Sequence, residues 1–221
     1  LEATWKYIIG CSVGIALAFM GTLLFGAAAS RGPGGEIQPL MWTRLVEAAG
    51  QLDPASARIA FIFLLVGFGT KAGLVPMHTW LPDAHSQAPA PVSALFSGFM
   101  INTGLYCIMR YQAIMAGVPG GAEWSREMLV AFGLGSILVA SVFIIFQTNL
   151  KRFLAYCSIE HMGMIALGLG LGGPGIFAAL LHAVNHSTAK TLAFCSAGRL
   201  GQAHGTHNMA DIRGTLRSFP V

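Results

Sequence analysis

The sequence H-A-V-N-H-S-T-A-K places three titratable residues, His182, His186 and Lys190, at a spacing of four. Residues four apart stack on one face of an α-helix, with a drift of only about 40° per step. The three side chains are therefore predicted to form a polar stripe in an otherwise apolar segment, flanked by Asn185 and Ser187. Proton relays use titratable groups inside the membrane that lie within reach of one another. The pattern favours proton transfer along a membrane helix.

Two other interpretations use the same residues. The first is structural, with two satisfied core histidines and one lysine whose ammonium reaches the membrane interface. The second is a zinc site, because His182 and His186 form an H-x-x-x-H pair. The metalloprotease form of that motif requires a glutamate directly after the first histidine, whereas Ala183 occupies that position. No metal site is therefore predicted.

Lys71 lies inside an apolar run, Phe61 to Val75, and a proline-punctuated stretch follows it. A lysine at the bilayer centre costs roughly 3 kcal/mol. A broken backbone at membrane depth is tolerated only where protein or a wet cavity satisfies its polar groups. Gly73 and Pro76 favour such a break, where helix ends would solvate the ammonium. The alternative is a lysine that extends to the interface, but the combination is more typical of a protein that moves ions.

Glu160 and His161 are adjacent in the sequence S-I-E-H-M-G. Adjacent helical residues point about 100° apart, so the two side chains need not pair with each other. Glu160 is expected either to pair with Lys71 or Lys190 or to join the relay. A purely structural ion pair is the competing interpretation.

His78 and His85 lie in the proline-punctuated stretch, seven residues apart. That spacing would let them share a helical face and line a water path. Local capping of the broken backbone is an equally good explanation of both residues.

The composition determines the class of protein. Hydrophobic residues make up 54% and charged residues 10%, whereas about a quarter of an ordinary soluble domain is charged. Six apolar segments are predicted to span the membrane, which takes about 20 helical residues each. They are residues 5–28, 58–76, 91–116, 127–147, 153–172 and 174–200. The second is short and interrupted, so residues 77–88 are expected to complete its crossing as a separate half-helix. The predicted fold class is an all-α, polytopic transmembrane helix bundle with one discontinuous helix.

Residues 1–221 are interpreted as a single transmembrane domain and as an internal piece of a longer protein. The first apolar run is too long for a signal peptide, and the chain has no initiator methionine. Ser30 to Ala57 is expected to form a loop that opens with the flexible sequence R-G-P-G-G and contains a short surface helix within Leu40 to Ala49. Further loops are predicted at Gly117 to Glu127 and after Leu200.

The four cysteines fall in four different spans and form no C-x-x-C pair. Neither a disulfide framework nor a zinc or iron–sulfur site is indicated, and no dinucleotide-binding loop is present. The net charge of +4 is too small and too scattered to indicate a nucleic-acid partner. The lipid bilayer is the partner that the composition predicts. The basic Lys151-Arg152 turn favours an inner-membrane topology in which the N-terminus is cytoplasmic.

Three stretches together resemble a known family. They are K-A-G-L-V-P-M-H-T-W-L-P-D-A-H-S-Q-A-P-A-P-V-S-A-L, N-L-K-R-F-L-A-Y-C-S-I-E-H-M-G and H-A-V-N-H-S-T-A-K-T-L-A-F. They look like the antiporter-like, proton-translocating membrane subunits of NADH–quinone oxidoreductases, Mrp-type cation/proton antiporters and energy-converting hydrogenases. S-I-E-H-M-G and M-A-D-I-R-G are most similar to the component F subunit of hydrogenase-4-type complexes.

The resemblance implies two inverted five-helix repeats, each with one discontinuous helix. Lys71 matches the lysine of the first broken helix, and the stripe of His182, His186 and Lys190 matches titratable positions on the helix that feeds the second half-channel. Glu160 matches a position where respiratory subunits usually carry serine.

The chain also departs from the family pattern. Many relatives carry a lysine where Asn102 stands in M-I-N-T-G-L-Y, which points away from the respiratory branch. The family's membrane glutamate is expected upstream of Leu1, and the second broken helix beyond Val221. This chain is thus expected to hold the middle of the relay.

The resulting functional prediction is a proton-translocating membrane subunit of a hydrogenase-4-like or NADH–quinone oxidoreductase-like redox complex. No cofactor is expected in this chain, so electron transfer would take place in partner membrane and peripheral subunits. The alternatives are a subunit of an Mrp-type Na⁺/H⁺ antiporter and a membrane anchor without transport of its own. The predicted relay comprises Lys71, Glu160, His182, His186 and Lys190, with His78, His85, His161 and Asn102 along a water path.

Overall fold

A computed structural model describes residues 2–30 and 40–215, and within those ranges the chain forms nine α-helices and no named strand. The helices are α1 Glu2–Ser30, α2 Trp42–Glu47, α3 Pro54–Ala72, α4 Trp80–Gln87, α5 Ala90–Leu95, α6 Ile101–Met115, α7 Gly121–Ile144, α8 Leu150–Leu171 and α9 Pro174–His204. A π-helical turn, Phe96–Met100, joins α5 and α6 into one rod. The predicted R-G-P-G-G loop and the chain end at Pro220-Val221 lie outside the described residues.

Five helical segments in the described ranges are long and apolar enough to cross a membrane. They are α1, α3, the rod Ala90–Met115, α7 and α8. They confirm the predicted all-α, polytopic fold class. The sixth predicted span lies in α9, which is not among the five because the stripe of His182, His186 and Lys190 interrupts its apolar sequence. The crossing of the membrane by α9 stays a prediction.

The discontinuous helix is present where Gly73 and the prolines predict it. Gly73 ends α3 in the left-handed conformation, with φ 74°, which glycine adopts without steric penalty. The chain then turns and begins α4 at Trp80, three residues later than the predicted half-helix. The Trp80 indole Nε1 donates to the carbonyl oxygen of Thr70 at 2.8 Å. The same carbonyl also accepts the Gly73 N–H at 3.3 Å, so the indole adds a second donor at the end of α3.

Two predicted loops are shorter in the structure. The prediction of a loop from Gly117 to Glu127 is wrong in its second half, because α7 already begins at Gly121. Its charged residues misled the sequence interpretation, yet Glu123 lies in the first helical turn, where an acidic side chain complements the helix dipole. The tail after Leu200 remains helical to His204. The short surface helix is confirmed over a narrower range, Trp42–Glu47.

Small residues set the distance between the paired helices α7 and α8. A Cβ atom at Gly133 would lie 2.7 Å from the backbone nitrogen of Leu167 and 2.8 Å from the carbonyl oxygen of Gly163. Both neighbours are backbone atoms, so they cannot move aside as a flexible side chain would. Glycine therefore lets the two backbones touch, as is common where membrane helices pack.

Replacing Gly133 with valine is expected to reduce the free energy of unfolding by about 1–3 kcal/mol, because the added carbons overpack the contact with α8. The matched control is Gly135→Val on the same helix, where a Cβ atom meets nothing within 4 Å. We expect that control to change stability by about 0.5 kcal/mol or less. Equilibrium unfolding of the full-length protein in detergent micelles measures both, and equal losses would contradict the assigned contact.

Candidate functional site

The packing of α8 against α9 brings a third histidine to the polar stripe. His161 Nδ1 lies 2.9 Å from His182 Nε2, within hydrogen-bonding distance. The rings of His161 and His186 have their centroids 5.4 Å apart. His186 is buried, with 3% of its surface exposed, and neither of its ring nitrogens has a hydrogen-bond partner in the described part of the chain. Three imidazoles thus form one cluster between α8 and α9.

Lys190 ends the stripe at a main-chain carbonyl. It is 6% exposed, and its ammonium Nζ donates to the carbonyl oxygen of Leu154 on α8 at 3.1 Å. Leu154 and His161 are seven residues apart on α8, which places them on nearly the same helical face. The same face of α8 therefore contacts Lys190 at one level and His182 two turns away.

Glu160 does not make the ion pair that the sequence suggested. Within residues 2–30 and 40–215, the ion pairs closer than 4 Å join Lys6 to Glu2 and Asp83, Arg44 to Glu47, and Arg152 to Asp83. Glu160 follows Leu154 by six residues, a rotation of about 240° around the helix axis, so it does not share the face of α8 that carries Leu154 and His161. His161 is the residue of this adjacent pair that α8 presents to the stripe.

Asn102 is joined to the stripe through a hydroxyl group. Its amide Nδ2 donates to Ser187 Oγ at 2.7 Å and also contacts the carbonyl oxygen of Gly98. The Asn102 carbonyl oxygen Oδ1 is buried without a partner among the described residues. The π-helical turn Phe96–Met100 lies directly before Asn102, and such turns often occur at functional sites. Ser97 within this turn shares a hydrogen bond of 2.8 Å with Ser158 of α8.

His85 lies in the protein interior between α4 and α9. It is fully buried, stacks on Phe194 of α9 with 4.6 Å between ring centroids, and makes an edge contact with Phe96. Both of its ring nitrogens lack partners in the described ranges. Polar atoms buried in this way are rare in proteins and call for a specific explanation.

His78 lies in the turn before α4, so the predicted helical face shared with His85 is wrong. The helix begins only at Trp80. The main-chain carbonyl of His78 accepts a hydrogen bond from Leu81 N at 3.0 Å. That contact is made by the main chain, and the ring nitrogen Nδ1 of His78 is buried without a hydrogen-bond partner among the described residues.

Lys71 lies apart from the histidine cluster, in the last turn of α3. Its ammonium Nζ is 5.2 Å from the centroid of the Tyr7 ring, a distance at which a cation is attracted to an aromatic face. Tyr7 in turn packs on Trp80 and Phe96. Of the predicted site, the structure brings together His161, the stripe and Asn102, whereas Lys71, Glu160 and His78 make no direct hydrogen bond to that group among the described residues.

Sequence reasoning missed Lys151 as a buried cation. In the sequence, Lys151 indicated only the orientation of the chain in the membrane. In the structure its side chain is buried, with 4% of the residue surface exposed. Its ammonium donates to the carbonyl oxygens of Ala88 and, at 3.5 Å, Ser86 at the end of α4. Pro89 follows this helix and has no N–H, so the free carbonyls before it were a signal that a donor side chain was needed.

The described residues contain no group of three or more His, Cys, Asp or Glu side chains arranged to hold a metal ion. The His161, His182 and His186 rings lie close together without converging on one point. Their geometry favours hydrogen bonding between rings over metal ligation.

Replacing His161 and His182 with alanine, singly and together, is expected to reveal an interaction free energy of about 0.5–1.5 kcal/mol, the net value of one hydrogen bond. Unfolding of the full-length protein in detergent measures the cycle. The control cycle pairs His161→Ala with His204→Ala, about 33 Å along α9 from His182 at 1.5 Å per residue, and should be additive. Additivity in both cycles would refute the His161–His182 contact.

Comparison with known proteins assigns the chain to a family. All of residues 1–221 match the family described as "NADH:quinone oxidoreductase/Mrp antiporter, TM". The hydrogenase-4 component F homolog of Methylacidiphilum infernorum (isolate V4) is 43% identical over 222 residues, which cover 100% of this chain and 46% of that protein. The chain thus spans less than half the length of this relative.

Two solved structures share the fold. A chain of the membrane-bound sulfane sulfur reductase, an archaeal respiratory membrane complex, matches with a TM-score of 0.82 and 28% identity over 95% of this chain and 42% of that chain. A chain of the Mrp complex from Dietzia sp. DQ12-45-1b matches with a TM-score of 0.76 and 23% identity over 90% and 35%. The second likeness concerns the fold alone. With its apolar helices and its full-length family match, this chain is a multi-pass membrane protein that belongs to the NADH:quinone oxidoreductase/Mrp antiporter family.

Proposed function

We propose that the chain is part of a proton-translocating membrane subunit of a hydrogenase-4-like or NADH–quinone oxidoreductase-like redox complex in the inner membrane. The observation that carries this proposal is the titratable cluster of His161, His182, His186 and Lys190 between α8 and α9. Four titratable groups at membrane depth without a carboxylate partner are costly, and such residues are typically functional.

The His161–His182 contact supports proton transfer in either direction. A neutral imidazole donates at one ring nitrogen and accepts at the other. At 2.9 Å, a proton on either of the two facing nitrogens is within transfer distance of the other. His186 adjoins His161 and has two free nitrogens, so a small ring rotation or one bridging water extends the path. Lys190 then lies one helical turn further along α9.

At the position of Asn102 this relay differs from that of relatives with lysine, because an amide replaces a titratable group. An amide donates hydrogen bonds but does not take up a proton near neutral pH. We infer that Asn102 orients the Ser187 hydroxyl, to which it donates at 2.7 Å, and does not carry charge itself. Any proton that passes this level must then use the histidines or Lys190.

Lys71 is proposed as a second cationic site that acts on the cluster without touching it. Its ammonium rests on the Tyr7 ring and has no carboxylate within 4 Å among the described residues. The electrostatic field of an unpaired charge at this depth passes through a medium of low dielectric constant. In such a medium, electrostatic interactions extend over longer distances than in water. Removing this charge would therefore alter the proton affinity of groups nearby.

Electron transfer is assigned to partner subunits. The chain has no C-x-x-C pair and no dinucleotide loop, and one solved relative belongs to a complex described as respiratory. We propose that the cofactors lie in those partners and that this chain contributes membrane-embedded proton transfer.

A subunit of an Mrp-type Na⁺/H⁺ antiporter is the second candidate. The description of the family that the chain matches includes Mrp antiporters, and the histidine cluster would serve either function. The two differ in their energy source, since an antiporter responds to an ion gradient without an electron donor. A membrane anchor without transport is the third candidate, and it leaves the unpaired buried nitrogens without a purpose.

Inverted membrane vesicles that contain the full-length protein in its parent complex provide the test. We expect Lys190→Ala to reduce proton uptake per electron donor oxidised by about tenfold or more, because positioned proton-transfer groups contribute about 10²–10⁴-fold to rates. We expect Lys71→Ala to reduce it as well, because the variant removes the charge that acts on the cluster. Arg44→Ala is the control, since Arg44 is exposed on α2 and, among the described residues, its ion pair is the local one with Glu47.

The amount of assembled complex is measured for each variant. Uptake unchanged in an assembled Lys190→Ala variant would overturn the relay. Uptake that needs a sodium gradient and no electron donor would favour the antiporter.

A further inference from the structure

The short helix α4 is tied to its neighbours by one carboxylate. Asp83 accepts from the Lys6 ammonium of α1 at 2.7 Å and from the Arg152 guanidinium of α8 at 2.5 Å. Two helices on different sides of α4 are thereby joined to it through the two oxygens of Asp83. Glu2, one turn before Lys6, also contacts that ammonium at 2.7 Å but lies on α1 itself.

The opposite face of α4 carries His85. Asp83 and His85 are two residues apart, a rotation of about 200° on a helix. One face of α4 therefore carries the ion pairs, and the other inserts a fully buried histidine against Phe194 of α9. At its C-terminal end, the Lys151 ammonium holds the carbonyl oxygen of Ala88. Adjacent residues of α8 thus hold α4 at two points.

External contacts must determine where α4 lies. It has only eight residues, and isolated helices shorter than about 12 residues are marginal. A glycine-containing turn precedes it and Pro89 follows it, so neither flanking helix continues into it. The position of His85 consequently depends on what holds the far side of the helix.

We propose that Asp83 is a positioning residue. Its ion pairs with Lys6 and Arg152 hold α4 in place, so that His85 packs against α9 beside the relay. This inference rests on the proposed proton translocation. It assigns to Asp83 a role exerted through His85, without proton transfer by Asp83 itself.

Water reaches these ion pairs. A polar, open cavity of about 500 Å³ is lined by Glu2, Lys6, Asp83, Ser86, Gln87 and Arg152. The Asp83 side chain is 19% exposed and that of Arg152 37%. Salt screens charge pairs that face water more strongly than buried ones. The attachment of α4 through Asp83 should therefore weaken at high ionic strength, whereas the packing of His85 against aromatic rings should not.

Hydrogen–deuterium exchange of the purified parent complex tests the attachment directly. We expect the amides of residues 80–88 to exchange about fivefold faster in Asp83→Asn than in the wild type, as local opening becomes easier. Asp83→Glu should restore slow exchange, and Glu2→Gln should match the wild type, because it removes the other carboxylate near Lys6 while leaving α4 attached. The amides of α7 serve as an internal control for global loosening.

Raising the salt concentration should accelerate exchange of residues 80–88 in the wild type and leave Asp83→Asn nearly unchanged. A purely structural packing role would not produce that difference. Should Asp83→Asn fail to assemble, Arg152→Gln removes one of the two pairs and is expected to accelerate exchange in the same peptide.

The second readout is proton uptake per electron donor oxidised in inverted vesicles. We expect Asp83→Asn to reduce it by about tenfold, since small displacements of a working group have large effects on rate, and Asp83→Glu to restore it. Unchanged exchange in Asp83→Asn would overturn the attachment, and faster exchange with normal uptake would overturn its role in transport. A wild-type complex without redox-driven uptake would instead contradict the proposed function, while the exchange data would still decide whether Asp83 holds α4.

Discussion

Every backbone polar group at membrane depth must find its partner inside the protein, because hydrocarbon offers none. The broken helix makes the strongest demand, since it leaves free carbonyls at two helix ends. Donor side chains meet part of that demand at the C-terminal ends of α3 and α4, where the Trp80 indole binds the Thr70 carbonyl and the Lys151 ammonium binds that of Ala88. Lys190 likewise donates to a main-chain carbonyl of α8. The titratable groups and the broken backbone therefore stabilise each other.

The protein separates full ion pairs from its interior cations. Lys6 and Arg152 pair with carboxylates beside a water-accessible cavity, whereas Lys190 is held by a carbonyl dipole between α8 and α9. A lysine held by a dipole can lose its proton and still donate to the same oxygen, since the neutral amine keeps two N–H groups. A lysine paired with a carboxylate would leave an uncompensated buried charge behind. The interior arrangement therefore suits groups that change protonation.

The sequence predicts the helices better than the contacts between them. Apolar runs, together with the Gly73 break, indicate the spans, and the spacing of four predicts the stripe, because both depend on a single helix. The His161–His182 bond depends on how α8 is rotated against α9, which the periodicity of one helix does not determine. The same dependence explains why Glu160 was expected to pair with a lysine and does not. Lys151 was missed because its burial depends on α4, far away in the chain.

The π-helical turn Phe96–Met100 gives the rod of α5 and α6 a mechanical property. Such a turn accommodates one extra residue, which offsets the faces before and after it by about 100°. Ser97 consequently bonds to Ser158 on α8, while Asn102 bonds to Ser187 on α9. A helix with a spare residue can pass it along its axis by exchanging a few main-chain hydrogen bonds. Such an exchange would rotate the segment that carries Asn102 relative to the segment that carries Ser97.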